Sequence, residues 1–266
     1  MKIAILIPLC SRNQTYKRLE DAPFIKIFLP HLTRTKEAGY TYKLFVGYDD
    51  DDAFYLKHHD ALSSLKDVDV SVLSNCQHHP TRAWNMLFQK AVNQNFDYFF
   101  QVGDDVSMQT PGWTTRFVDK LLSQNNIGTV GPCEPSNYFG RLQACKAIVI
   151  ENNFVHKTHH DIFGYFFPDK IKNWYCDDWI TFVYADLATM ETSILCSNTV
   201  KGLRYDISSC DMIDDYVAEG KLTLERYRGD KKRLSNTLSN ITFNDPYHII
   251  FSNQESLFPS GPSKRI

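Results

Sequence analysis

The 266-residue sequence predicts an α/β domain of three layers, with helices on both faces of a mainly parallel, mixed central sheet. Three observations carry this reading. The run Ile3-Ala4-Ile5-Leu6-Ile7 lacks polar alternation, as suits a strand buried on both faces. Strand-like segments then alternate with segments of helical period, the pattern of βαβ units and a parallel core. Hydrophobic residues make up 43% of the chain and charged ones 23%, a composition that folds rather than staying disordered.

A first strand is expected over 2–9 and is broken at Ser11-Arg12-Asn13. Phe24, Ile27, Phe28 and Leu32 fall at helical spacing and predict a helix over 23–38, kinked at Pro30 and stopped at Gly39. A second strand over 42–48 runs into Asp49-Asp50-Asp51-Asp52, a helix follows over 53–65, and Val68, Val70 and Val72 alternate in a third strand over 68–73. A helix over 81–94 precedes a strand over 98–102, which exits into Gly103-Asp104-Asp105. Pro111-Gly112 marks a turn before a helix over 113–123. Strands over 127–130 and 144–150, a helix starting near Asp177 and a basic polar segment over 221–233 complete an increasingly irregular chain. No Gly/Ser linker or repeat divides it, so one domain over 1–266 is expected.

Charge excludes some functions. With 29 Lys and Arg against 31 Asp and Glu, no whole-molecule field attracts nucleic acid or an anionic membrane, and any phosphate recognition must be local. Seven cysteines without a C-x-x-C pair read neither as a disulfide framework nor as a zinc site. No apolar run approaches the roughly 18 residues that cross a bilayer, and the apolar start is too short for a signal peptide; a cytoplasmic protein without a transmembrane segment is expected.

Asp104 and Asp105 leave a buried strand, where a carboxylate is costly unless paired, hydrated or bound to a cation. Ligands of open α/β sheets gather at the carboxyl ends of the strands, and Mg²⁺ or Mn²⁺ combines carboxylate with substrate phosphate. A solvated turn is the competing reading. If extended geometry continued, Gly103, Asp105 and Ser107 would share a face. Arg82 and Asn85 lie three apart, on one side of a helix, and an Arg fork suits phosphate. His78 and His79 lack a partner at ligand spacing and read as surface loop residues. Asp177 and Asp178 suit a helix N-terminus, and helical geometry turns them about 100° apart, so only one of them should face a bound ligand. Aromatic residues crowd the region of Tyr165, Phe166, Phe167, Trp174, Tyr175 and Trp179, as core or as a platform for sugar rings.

Four motifs occur in order: Lys2-Ile3-Ala4-Ile5-Leu6-Ile7-Pro8, Thr81-Arg82-Ala83-Trp84-Asn85, Phe96 through Asp105, and Asn173-Trp174-Tyr175-Cys176-Asp177-Asp178-Trp179-Ile180 behind Phe163-Gly164-Tyr165-Phe166-Phe167-Pro168. Together they resemble the GT-A fold glycosyltransferases, in particular the family-2-like branch. The resemblance implies a nucleoside diphosphate sugar donor, a uridine one, bound by a half spanning 1–110 through Pro8, Ser11, Arg12, Asp49, Asp51, Arg82, Asn85 and Asp104. It implies Mn²⁺ or Mg²⁺ on Asp105, with His248 the late candidate ligand. A glycan or other hydroxyl acceptor would lie over 111–266 against Trp174 and Tyr175, with Asp178, or else Asp177, as the base of an inverting transfer. Gly103 departs from the family's Asp-x-Asp pattern at its first position, which keeps a degenerate glycan-binding or scaffold protein open. A sugar nucleotidyltransferase is the other alternative, but Leu9-Cys10-Ser11-Arg12-Asn13 lacks the glycine-rich loop it normally needs.

Overall fold

The computed structural model describes residues 1–136, 148–199, 210 and 212–239. Strands β1 (Lys2–Leu9), β2 (Thr41–Asp49), β3 (Val68–Leu73), β4 (Tyr98–Gln101), β5 (Val106–Met108), β6 (Thr129–Cys133), β7 (Asn153–His156) and β8 (Ala188–Asn198) form one sheet in the order β3-β2-β1-β4-β7-β6-β8-β5. The β3-β2-β1-β4 half is parallel throughout. β7 runs antiparallel to β4 and β6, and β8 runs parallel to β6 and antiparallel to β5.

The uninterrupted apolar run of β1 is explained by burial on both faces. Ile3, Ile5, Ile7 and Leu9 enter one core, and Ala4 and Leu6 enter the other. Helices α1 (Leu29–Thr35), α2 (Ala53–Lys57), α3 (His59–Ser63), α4 (Pro80–Asn93), α5 (Trp113–Ser123), α6 (Thr158–Phe163), α7 (Cys176–Tyr184) and α8 (Ile213–Ser239) divide between them. Leu32, Tyr55, Leu62, Trp113 and Phe117 pack against the first core. Leu87, Phe88, Ile162, Trp179, Ile180 and Leu224 pack against the second. The result is the expected α/β/α sandwich, whose eight-stranded sheet draws strands from both halves of the chain.

Several local expectations change. The kink at Pro30 takes the form of a π-helical turn, Phe24–Phe28, leading into α1. The helix expected over 53–65 is two short helices that meet at His58. β5, β7, β8 and α6 were not foreseen, and 148–150 carries no regular structure, while 144–147 lies outside the described residues. The basic segment over 221–233 belongs to α8, whose Gly220 passes close to α7: a Cβ there would lie 2.6 Å from Val183 Cγ2. Among the described residues no helix is long and apolar enough to cross a membrane.

Candidate functional site

Parallel pairing of β1 to β4 brings their carboxyl ends to one edge of the sheet. From β1 the chain builds outward to β2 and β3, then returns to place β4 on the other flank of β1. The β1/β4 junction is therefore a topological switch point, where open α/β sheets hold their ligands. A cleft opens there. Pro8, Cys10 and Arg12 line it from the end of β1 and the loop beyond, Tyr48 and Asp49 from the end of β2, and Leu73 and Cys76 from the end of β3 and the loop beyond; His79 caps α4, which supplies Ala83 and Trp84, and Gly103, Asp104 and Asp105 follow β4.

The loops that leave β1 and β2 are tied together. Arg12 Nη2 forms an ion pair with Asp49 and lies 3.2 Å from Asp51 Oδ1. Burial works against the Arg12 charge, but its contacts with Asp49 prevail and hold its pKa above the usual guanidinium value. At Asp49, burial outweighs Arg12 and pushes the carboxyl above its ordinary value, helped by Asp51 and Asp52. Ser11 does not line the cleft. Its backbone N–H and hydroxyl donate to Asp52 at 2.8 and 2.7 Å, and Asp52 also accepts from Tyr55 N at 3.1 Å as the N-cap of α2. The sequence reading passed over Asp52, although an aspartate directly before a helix is a capping signal.

Asp104 and Asp105 are both buried, at 1% and 8% exposure, and both line the cleft. The alternation expected of 103, 105 and 107 does not hold, because the chain turns between β4 and β5: Val106 N donates to Gly103 O at 3.4 Å. The glycine at 103 has a local reason. A Cβ there would sit 3.0 Å from Asp105 Oδ1, so the absence of a side chain makes room for the Asp105 carboxylate. Among the described residues no group of three or more His, Cys, Asp or Glu side chains is arranged to hold a metal ion. Two adjacent buried carboxylates nevertheless suit a hard cation of the kind that takes one or two protein oxygens and completes its shell with phosphate and water.

On α4, Arg82 and Asn85 do share a face, but that face is turned away from the cleft. Arg82 forms a two-point fork on Asp169 at 3.0 and 2.9 Å and donates to Asn75 O at 2.9 Å. Asn85 accepts from the N–H groups of Phe166 and Phe167 at 3.0 and 2.9 Å and donates to Phe167 O at 2.7 Å. Neither lines the cleft, where Trp84 and His79 stand instead. Trp84 is held by a hydrogen bond from Nε1 to Val102 O at 3.3 Å. His79, expected on a surface loop, is buried; burial, and then Arg82, push its imidazole below the ordinary histidine value.

The acceptor-side residues begin α7. Asp177 and Asp178 are half-buried in its first turn, and Trp174 and Tyr175 are exposed just ahead of it, with Tyr175 at a left-handed φ of 73°. None of the four lines the cleft. They are linked to its wall through α4, because Thr81 Oγ1 donates to Ile171 O at 2.5 Å and to Lys172 O at 3.0 Å. Of the neighbouring aromatics, Phe166, Phe167 and Trp179 are core, with Trp179 Nε1 donating to Tyr216 O at 3.0 Å. His248 lies outside the described residues.

No protein-family model and no curated protein matches the chain, so the family-2 branch rests on the sequence resemblance alone. Solved structures do match. TarS 1–349 of S. aureus in complex with UDP-GlcNAc aligns with a TM-score of 0.53 and 13% identity over 83% of this chain and 66% of that one. The mannosyltransferase PcManGT from Pyrobaculum calidifontis, in complex with GDP-Man and Mn²⁺, aligns with a TM-score of 0.53 and 12% identity over 83% of this chain and 69% of that one. The chain spans less than two thirds of the TarS fragments it matches, 59% in one structure and 66% in another. Likeness at this identity establishes a shared architecture, and the chain has a GT-A-like fold.

Proposed function

We propose that the protein is a metal-dependent glycosyltransferase that moves a sugar from a nucleoside diphosphate sugar, a uridine one, to a hydroxyl of a glycan or other acceptor with inversion. The observation that carries this reading is the pair of buried carboxylates, Asp104 and Asp105, in a cleft at the β1/β4 switch point. The charge there favours a cation. Among the described residues, Asp49, Asp104 and Asp105 face the cleft against one guanidinium, that of Arg12, a balance that favours a diphosphate accompanied by a divalent ion. TarS and PcManGT, which share the fold, carry UDP-GlcNAc, or GDP-Man with Mn²⁺, in their solved complexes.

In this reading Asp105, with Asp104 beside it, holds Mn²⁺ or Mg²⁺, and Gly103 leaves space for that arrangement. The ion supplies charge neutralisation for the leaving diphosphate. Pro8, Arg12 and Asp49 border the nucleotide, and the Arg12–Asp49 pair fixes the two loops around it. Trp84 forms part of the cleft wall. Asp178 at the start of α7, with Asp177 as its alternate, takes the acceptor proton, and the helix N-terminus favours the charged carboxylate before transfer. Trp174 and Tyr175 offer exposed rings to the acceptor.

A panel of nucleotide sugars with Mn²⁺ tests the assignment. Asp105→Ala is expected to lose metal-dependent nucleotide binding, and Asp178→Asn to keep binding while losing transfer. Near-wild-type transfer by both variants would sink the proposal.

A further inference from the structure

Beside the cleft lies a second depression that shares the His78-His79 wall with it. Arg82, Asp169, Lys170 and Lys172 line it, and among the described residues no apolar side chain does. Its charge is uneven, with three cations against one carboxylate. The Asp169 fork fixes the Arg82 guanidinium in place, whereas Lys170 and Lys172 are exposed and have no ion pair among the described residues. His79 is 6% exposed, and its Nε2 makes no hydrogen bond among the described residues; Asp169 Oδ1 is 3.9 Å away. A buried ring nitrogen without a hydrogen bond is costly in an isolated fold and is relieved by a polar ligand. The floor is built rather than loose, since Thr81 bonds to Ile171 O and Lys172 O, and Arg82 to Asn75 O.

We propose that this depression is a subsite for an anionic group on the acceptor, a phosphate ester or a carboxylate, held next to the donor cleft. The inference rests on the glycosyl-transfer reading for the word acceptor, but its anion chemistry stands on these residues alone. Position supports it: the 169–172 segment that supplies two lysines runs directly into Trp174, Tyr175 and the Asp177-Asp178 turn of α7. A neutral sugar would gain little from the net positive charge, whereas an oxyanion gains from the fixed guanidinium and from two ammonium groups at once. Arg82, expected from the sequence at the donor, thus belongs to the neighbouring subsite.

The test uses the full chain with Mg²⁺ and saturating UDP or, in a parallel series, GDP, so that the donor cleft is filled. Inorganic phosphate is titrated and followed by ³¹P NMR, with nucleotide affinity measured calorimetrically on the same samples. Wild type should bind phosphate saturably. The double variant Lys170→Gln/Lys172→Gln should bind it about tenfold more weakly at unchanged nucleotide affinity. Displacement of phosphate by acetate would extend the subsite to carboxylates, and failure to displace it would restrict the subsite to phosphate. Absence of saturable phosphate binding, or equal affinity in wild type and the lysine double variant, would overturn the proposal. If neither nucleotide binds with metal, the donor reading fails while the phosphate result keeps its own meaning.

Discussion

Asp52 fastens the loop after β1 to the loop after β2 alongside the Arg12–Asp49 pair, and its removal should be felt in stability before it is felt in function. Asp52 is 5% exposed, and its carboxylate accepts three hydrogen bonds, from Ser11 N at 2.8 Å, Ser11 Oγ at 2.7 Å and Tyr55 N at 3.1 Å. Loss of the α2 cap costs about 1 kcal/mol. Each hydrogen bond from Ser11 to a charged acceptor contributes about 1.5–3 kcal/mol when buried, and less here because Ser11 is half-exposed and water replaces part of it. Asp52→Ala should therefore cost about 2–4 kcal/mol, enough to lower a urea midpoint by about 1–2 M at unchanged slope. Asp52→Asn should fall between it and wild type: Oδ1 keeps its two donors, while the new amide faces the Ser11 N–H. Asp50→Ala is the control, since Asp50 is exposed and accepts one bond from Gln77 at 2.7 Å; it should stay within about 0.5 kcal/mol of wild type. Equal midpoints for Asp52→Ala and Asp50→Ala would refute the view that Asp52 holds the two loops together.

Other perturbations have equally definite outcomes. Gly220→Ala in α8 would place a methyl group 2.6 Å from Val183 Cγ2 and 3.3 Å from Trp179 Nε1, so it should destabilise by about 1–3 kcal/mol despite better helix propensity, read as a lower thermal midpoint. Asn85→Ala leaves the N–H groups of Phe166 and Phe167 without their acceptor and should cost about 2–3 kcal/mol in urea unfolding while nucleotide affinity is kept. His159, buried between Tyr184 Oη and Phe166 O, is held down to about 4 by burial, below its unfolded value of 6.5. The unfolded chain binds the proton first, so the neutral histidine's stability is complete above pH 6.5 and is lost as pH falls toward 4. Unfolding free energies from urea titrations at pH 7 and pH 5 should differ by about 2 kcal/mol from this group, and His159→Gln should flatten that difference. Gly103→Ala should keep the fold but crowd the Asp105 carboxylate from 3.0 Å, weakening Mn²⁺-dependent nucleotide binding about tenfold in a calorimetric titration; unchanged affinity would remove Asp105 from the metal assignment.

The elements that were legible in the sequence are those whose burial leaves a one-dimensional trace. β1 is buried on both faces and reads as a continuous apolar run, and α5 carries its period through Trp113, Phe117 and Leu121 and was bounded correctly. β7 and β8 left no such trace. β7 is four residues long with Asn153 and His156 at its ends, and Asn153 is buried only because Gln101 Oε1, Thr129 Oγ1 and Ile150 O satisfy it. β8 is half-buried over its first four residues and exposed over the next two, and gets its pairing from β6 and β5, distant neighbours that local pattern cannot reveal.

The site divides along the same line, and α4 shows why. The spacing of Arg82 and Asn85 predicted correctly that they share a face, because three residues are nearly a full turn. Spacing does not set the rotational phase of a helix; its apolar stripe does. On α4 that stripe is Ala83, Leu87 and Ala91, with Phe88 beside it, and it must lie on the sheet to be buried. The helix returns antiparallel to the strands it covers, so the N-terminal end of the stripe arrives at the carboxyl edge of the sheet, carrying His79, Ala83 and Trp84 into the cleft. Arg82 and Asn85 lie off that stripe and meet the 166–169 segment instead. Reading the apolar phase first would have picked out Trp84 over Arg82. It would not have found the Asp169 partner, which is 87 residues away in the chain and is brought to Arg82 only by the fold.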